Sequence, residues 1–311
     1  MKEIHVFAPA TIANVGSGFD IFGFALNRPG DEVRVRFSDE PGATIGKIVG
    51  DKGVLSVDHR DNTASVAVQA FLDHLKEKRG IEIDLYKKMP VGSGLGSSAA
   101  SAVAALYAAN ALLGSPLERH GLLPFAVEAE RISCGAAHAD NVAPSLMGGF
   151  VLIRSYHPLD IVRIPTPEDM HCAIVHPSIR VETREARKML ATHIPLHDAT
   201  AQWGNAAALI AGLMKGDFEL IGKAVEDRVA EPVRSALIPG FADIKRAAYD
   251  AGAFGCSIAG SGPSVFALSA SYKDAEKIGA AMLEALVRTG TAGTVYLSKV
   301  NEKGPKIIEE R

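Results

Sequence analysis

The chain has 311 residues, more than one hydrophobic core ordinarily needs, so two domains, or one large domain with a substantial extension, are expected. With 47% hydrophobic residues, 22% charged residues and a formal net charge of -3, the composition is that of a soluble globular protein. It contains no concentrated basic patch or arm to hold nucleic acid or a membrane surface. Cys134, Cys172 and Cys256 are far apart and in no zinc-binding pattern, and the opening MKEIHVFAPATIANVG has no apolar run of signal-peptide length, so a reducing, cytoplasmic setting is expected.

Glu3 to Ala8 reads as a strand, and Val33 to Phe37 alternates with period two, as a half-buried strand should. A helical pattern starts at Asn62 and runs through Phe71, Leu72 and Leu75 to Gly80; Ile81 to Tyr86 alternates again and is closed by Pro90. Ser97 to Leu113 is mostly alanine but carries Ser97, Ser98, Ser101 and Asn110. It reads as a buried helix of a soluble protein rather than a membrane span, and is stopped by Gly114 and Pro116. A helix over Phe125 to Ile132 and a strand at Phe150 to Ile153 follow. Pro158, Pro165 and Pro167 then punctuate the chain, dividing it into 1–160 and 161–311.

The second half opens with a strand at Cys172 to Val175 and a charged helix at Glu182 to Leu190. Helices are expected at Ala201 to Lys215, Phe218 to Val229 and Phe241 to Asp250. A second glycine-rich turn, a strand at Val265 to Leu268, a helix at Asp274 to Arg288 and a strand near Thr294 to Ser298 complete the chain. There is no internal repeat and no low-complexity segment. The irregular alternation lacks the steady βαβ rhythm of a doubly wound sheet, so the class is α+β, two layers in each half.

Pro90-Val91-Gly92-Ser93-Gly94-Leu95-Gly96-Ser97-Ser98-Ala99-Ala100 is the most informative stretch. Glycines let backbone N–H groups turn inward without a side chain in the way, and the helix that follows directs its positive end into the same space, so the loop is built for an anion such as phosphate. It is no Walker A loop, because no lysine precedes Ser97-Ser98. Even spacing of Gly92, Gly94 and Gly96 is not the dinucleotide fingerprint, and a protein-kinase loop lies between strands instead of opening a helix. The hydroxyls of Ser97 and Ser98 are available for phosphate or its magnesium ion. A glycine turn packed tightly on a neighbour would leave the same trace.

Three separated segments resemble the GHMP kinases: Pro9 to Asp20 (PATIANVGSGFD), the glycine loop, and Gly255 to Ser264 (GCSIAGSGPS). Gly135-Ala136-Ala137-His138-Ala139-Asp140-Asn141-Val142-Ala143-Pro144, followed by Gly148-Gly149, is similar to the branch of that family that phosphorylates a hydroxylated amino acid. Ser17 stands where proline is common, and Gly92-Ser93 precedes the Gly94-Leu95-Gly96 core; neither departure removes a functional group. The resemblance implies a two-domain GHMP kinase fold, with a left-handed βαβ N-terminal ATP-binding domain and a ferredoxin-like C-terminal domain. It also implies ATP and Mg2+, a small-molecule amino-acid substrate, no nucleic-acid or membrane partner, and a homodimer as a family-level expectation.

The resemblance also implies site residues. Asn14 and Asp20 fall at the amino-acid end, with Arg187 and Arg234 for the carboxylate and Thr183 nearby; bidentate guanidinium suits a carboxylate and an aspartate suits an ammonium. Judged without the family, Arg187 belongs to a charged helix shared with Arg184 and Lys188, and Arg234 reads as a surface residue. Ser98 and Glu130 would hold magnesium, with Glu128 the competing acid. Asn141 stands where several relatives carry an aspartate base, which implies that it orients the substrate hydroxyl without taking its proton. His138 joins it in the substrate set, although a structural hydrogen bond would explain a lone histidine equally well. Asn62 matches the adenine-contacting region, and an N-cap accounts for it as well. Nucleotide contacts are expected along Pro90, Val91, Gly92, Ser93, Gly94, Leu95, Gly96, Ser97, Ser98, Ala99 and Ala100. A kinase for mevalonate or a sugar would put aspartate at position 141 and have less use for paired arginines; a catalytically silent ligand sensor would have no use for Ser98 and Glu130.

Overall fold

The computed structural model describes residues 2–134 and 138–311. Strand β1 (Glu3–Ala13) runs antiparallel to the long β2 (Phe22–Ser38), from Glu3 opposite Arg36 to Ala13 opposite Gly23. Alternation in β2 turns Val33 and Val35 into the core, while Arg36 meets Glu82 and Asp84 on the other face. β3 (Ala43–Val49), helix α1 (Thr63–Leu75) and β4 (Gly80–Tyr86) form a βαβ unit: β4 pairs parallel to β3 and antiparallel to β2.

α2 (Ser97–Leu112), α3 (Leu123–Cys134) and α4 (Ala139–Met147) pack with α1 over this sheet. α2 is buried on nearly every face, because its alanines let neighbouring backbones approach closely. No described helix is long and apolar enough to cross a membrane. β5 (Phe150–Tyr156) and β6 (Leu159–Ile164) form a hairpin that pairs with the start of β2. The two stacked or tilted phenylalanine pairs Phe22–Phe150 and Phe24–Phe150 seal this corner.

The chain enters a second sheet at β7 (His171–Pro177). It then passes through α5 (Thr183–Lys188), α6 (Leu196–Lys215), α7 (Phe218–Ala224) and α8 (Glu231–Arg234). α9 (Phe241–Asp250), β8 (Gly255–Ile258), β9 (Val265–Ser269), α10 (Tyr272–Val287) and β10 (Gly293–Lys299) complete the second layer pair. Its strand order, β10-β7-β9-β8, all antiparallel, with α9 and α10 as the two crossovers, is the ferredoxin-like βαββαβ arrangement. Ile244, Ala248, Ile278 and Met282 fill the space between these helices and the sheet. The last strand, β11 (Lys306–Glu310), returns to the first sheet and pairs with β1.

Differences from the sequence expectations have local causes. The helix expected over Phe218 to Val229 ends at Ala224, because the Asp227 carboxylate accepts the N–H groups of Val229, Ala230 and Glu231 and starts α8 instead. α6 begins five residues before Ala201, at Leu196. β1 runs on past Ala8 to Ala13, its Thr11 N–H bonded to the Leu95 carbonyl, which carries the strand into the glycine loop.

Candidate active site

The turn after β1 and the turn between β8 and β9 meet between the two sheets. Asn14 and Asp20 both adopt left-handed backbone, with φ of 68° and 60°, a conformation that asparagine and aspartate accept more readily than most side chains. The Asn14 side chain accepts the Asp20 N–H at 3.1 Å and donates to the Gly260 carbonyl at 2.8 Å. Arg234 donates to the same carbonyl at 3.0 Å.

Opposite them, Arg187 on α5 places one guanidinium nitrogen 2.6 and 2.7 Å from the two carboxylate oxygens of Asp20. Both guanidiniums lie over the Phe19 ring, Arg187 at 5.2 Å and Arg234 at 5.4 Å from its centroid, where the ring quadrupole attracts cations. Arg234 is 3% exposed, and burial followed by the Arg187 charge pulls its pKa down from a very high starting value. Arg184, by contrast, is exposed on the outer face of α5.

His138 Nδ1 lies 3.8 Å from Asp20. Burial lowers its pKa, opposed by Asp20, so the imidazole is neutral at neutral pH. Asp140 is buried, and its carboxyl is pushed up to about 7 by burial first and then by Asp20 and Glu130. Asn141 accepts a hydrogen bond from the Thr11 hydroxyl on its Oδ1 at 2.7 Å, which fixes the amide so that its NH2 faces the other way. Thr183 and Ser261 share a hydroxyl contact of 3.2 Å. Of the motif around His138, Gly135, Ala136 and Ala137 lie outside the described residues.

The glycine loop forms the facing wall. Gly92, Gly94 and Gly96 have φ of +72°, +79° and +66°. A Cβ on Gly94 would come within 2.6 Å of the Ala259 and Gly262 carbonyl oxygens, and one on Gly96 within 2.2 Å of Thr11 Oγ1, so both positions require glycine. Val91, Gly92, Ser93, Gly94, Gly96, Ser97 and Ser98 line the cleft. Leu95, Ala99 and Ala100 are buried in the core behind the loop, and the Ala100 N–H is bonded to the Gly96 carbonyl; Pro90 precedes the lining stretch.

Ser97 and Ser98 both line the cleft, but the Ser97 hydroxyl is already engaged. Ser97 Oγ donates to Asp31 at 2.8 Å, within a buried network in which Lys87 Nζ bonds to Asp31, to the Ser97 carbonyl at 2.9 Å and to Ser101 Oγ at 2.6 Å. Ser98 is half-buried on the cleft wall together with Glu130, a carboxylate 3% exposed. Glu128 lies on the exposed side of α3, paired with Arg131. Asn62 caps α1: its Oδ1 accepts the Ala64 N–H at 3.1 Å and its Nδ2 donates to the Ser56 carbonyl at 2.9 Å, while the residue borders the same cleft.

The structure brings in residues to which sequence reasoning assigned no role. Thr11 and Phe19 lie within Pro9 to Asp20, but only the fold shows that Thr11 orients Asn141 and that Phe19 lies under the two arginines. Arg180 stretches across Gly92, whose Cβ would come 2.6 Å from Arg180 Cγ; it stands alone after β7 with no pattern to mark it. Lys87 looks like an ordinary charge at a strand end.

A two-domain α+β molecule in which a glycine loop that opens a helix shares one cleft with an arginine–aspartate pair defines a class. Residues 62–149 match the GHMP kinases N terminal domain and residues 209–288 the GHMP kinases C terminal domain. The chain belongs to the GHMP kinase family. Relatives that align with nearly the whole chain include homoserine kinases. The homoserine kinase of Chloroherpeton thalassium is 51% identical, over 99% of this chain and 100% of that one. The crystal structure of homoserine kinase from Cytophaga hutchinsonii superposes with a TM-score of 0.96 at 55% identity, covering 98% of this chain and 97% of the other. The L. major mevalonate kinase structure, in complex with R-mevalonate, has a TM-score of 0.73 at 17% identity over 94% and 95% of the two chains, a likeness of fold alone.

Proposed function

We propose that this protein is a homoserine kinase: it transfers the γ-phosphoryl group of ATP to the hydroxyl of L-homoserine, giving O-phospho-L-homoserine and ADP for threonine biosynthesis. The observation that carries the reading is that one cleft joins the glycine loop to the Arg187–Asp20 pair. A phosphate cradle alone fits many kinases. A guanidinium and a carboxylate held together at its far end suit a zwitterion, which neither mevalonate nor a sugar is.

In this reading Asp20 and Asn14 receive the ammonium end, Arg187 and Arg234 the carboxylate, with Thr183 and His138 flanking them. Asn141, its amide fixed by Thr11, orients the hydroxyl toward the γ-phosphate. The hydroxyl oxygen forms the new bond to phosphorus as the bond to the bridging oxygen of ADP breaks, and the hydroxyl proton passes to a phosphate oxygen. No side chain acts as general base, because positioning and charge stabilisation dominate phosphoryl transfer. Asn62 lies at the adenine end.

A hard cation fits the donors present: Glu130 offers a carboxylate and Ser98 a hydroxyl on one cleft wall, and magnesium takes few protein ligands beside phosphate and water. Bound there with ATP, it would neutralise phosphate charge. Cys172 and Cys256 are free and buried, in keeping with a cytoplasmic protein. A homodimer belongs to the same reading, and sedimentation at micromolar concentration tests it.

The decisive experiment incubates the purified protein with magnesium-ATP and, separately, L-homoserine, mevalonate and galactose, following ADP release. Homoserine-dependent turnover is expected. Turnover with another alcohol only would remove the substrate assignment, and homoserine binding without turnover would favour a ligand sensor.

A further inference from the structure

The glycine loop is held from the second sheet by its carbonyl oxygens. Val181 N–H donates to the Gly92 carbonyl at 3.3 Å. Ser264, just before β9, grips the Ser93 carbonyl twice, through its hydroxyl at 2.7 Å and its N–H at 3.3 Å. His176 on β7 meets the same hydroxyl, with Nδ1 3.1 Å from Ser264 Oγ. Ser93, His176 and Ser264 are all buried, at 1%, 4% and 0% exposure.

Proton counting fixes the direction of this relay. Ser264 has one hydroxyl proton and directs it to the Ser93 carbonyl, so its oxygen can only accept from His176, which must carry its proton on Nδ1. Burial drives the His176 pKa down to about 4, so the ring is neutral and this tautomer is the working form.

A peptide unit is planar and trans, so its C=O and the following N–H point in opposite directions. Holding the Ser93 oxygen toward Ser264 turns the Gly94 N–H the other way, and holding the Gly92 oxygen toward Val181 does the same for the Ser93 N–H. Successive N–H groups turned to one side make an anion-binding concavity.

We propose that Ser264 and His176 are positioning residues for the nucleotide: from the second sheet they lock the Ser93–Gly94 peptide plane so that the Gly94 N–H is presented to a phosphate oxygen. Neither touches the reacting atoms. The inference rests on the reading that this loop receives the phosphates of ATP. It gives the second half of the chain an indirect part in nucleotide binding, beside the arginines it supplies to the amino-acid end.

Calorimetric binding of a non-hydrolysable magnesium-ATP analogue, with L-homoserine KM measured in parallel, tests this on the full chain. Ser264→Cys exchanges only the terminal atom, for a somewhat larger one, and loses most of the hydrogen bond. His176→Leu removes the Nδ1 donor, and His176→Asn keeps a donor at nearly the same place. Ser264→Cys is expected to weaken the analogue about 10-fold, the size of one ordinary hydrogen bond. His176→Leu should weaken it by less and His176→Asn should restore it, all with homoserine KM within about two-fold of the parent. Equal analogue affinity in Ser264→Cys and parent would overturn the inference, as would a parallel loss of homoserine affinity, the mark of a merely structural role. Should Ser264→Cys not fold, the His176 pair alone decides. A parent protein that binds no analogue would instead remove the kinase reading beneath it.

Discussion

Arg187 and Asp20, 167 residues apart in sequence, meet with one guanidinium nitrogen within 2.7 Å of both carboxylate oxygens. Each suits one end of a zwitterion, so under the proposed function the contact keeps two recognition charges together until substrate arrives.

On that reading, removing either charge should affect the amino acid and spare the nucleotide. Asp20→Asn and Arg187→Met are each expected to raise the KM for L-homoserine about 10- to 150-fold, the range for a hydrogen bond to a charged group. KM for ATP should change less than about three-fold on the same scale. Arg187→Lys recovers little, since an ammonium cannot reproduce the planar fork. Steady-state kinetics with each substrate varied in turn separates this from a general loss of fold, which would move both constants together.

Asp140 links pH to stability. Its carboxyl is raised from an ordinary value of 3.8 to about 7, chiefly by burial, so the folded protein holds a proton that the unfolded chain has released. Between roughly pH 4 and pH 7 the unfolded state binds fewer protons, and this group's contribution falls as pH rises, then levels off above pH 7. Asp140→Asn lacks the penalty. Urea titrations from pH 4 to pH 8 should show the variant gaining on the parent by up to roughly 4 kcal/mol at the alkaline end. A difference that is flat across the range would mean that Asp140 is not protonated in the fold.

The same variant tests the absence of a general base. A positioned base contributes about 100- to 10,000-fold, so Asp140→Asn should keep kcat within about 10-fold of the parent at pH 8. A loss of several hundred-fold, with KM values little changed, would make Asp140 the base.

What could be read from the sequence depended on whether the signal was local. Gly92, Gly94 and Gly96 announce themselves because only glycine sits comfortably at positive φ against a backbone, and a strand before and a helix after them were plain from periodicity. Arg187 and Arg184 are indistinguishable in a charged hexamer until α5 is laid beside Asp20, and only the resemblance to a family favoured one. Asp31 and Lys87 are 56 residues apart and each looks like a solvated charge, so their burial could not be foreseen. β11, reading KIIEE, has no clean alternation, and its existence depends on the free edge of β1.

Gly94 shows what the loop tolerates. Gly94→Ala puts a Cβ within 2.6 Å of the Ala259 and Gly262 carbonyl oxygens, at φ of +79°. The left-handed conformation alone costs about 1–2 kcal/mol for a residue with a side chain, and two backbone oxygens must also move. Lower stability in urea and a raised KM for ATP are expected together, because the loop can relieve the contact only by pulling away from the turn that backs it. Unchanged KM for ATP in a folded variant would contradict the loop's placement.

The Asp31–Lys87 pair makes the strongest stability prediction. Asp31 is fully buried and engages both carboxylate oxygens: one takes the Lys88 and Met89 N–H groups at 2.8 and 3.1 Å, the other Lys87 and the Ser97 hydroxyl. Lys87 in turn holds the first turn of α2, where the glycine loop becomes helix. Removing one partner of a buried pair strands the other charge, so Asp31→Asn or Lys87→Met alone should destabilise by about 3–5 kcal/mol. The two together should cost clearly less than the sum, since no charge is then left unpaired. Asp31→Asn should be the worse single change, because the carboxylate also orders the turn after β4 and the Ser97 hydroxyl. Urea unfolding of the four proteins closes the cycle. Additive losses would mean that the two groups are solvated separately and that Lys87 does not anchor the loop, whereas strong coupling would show that the helix start behind the glycine loop depends on this pair.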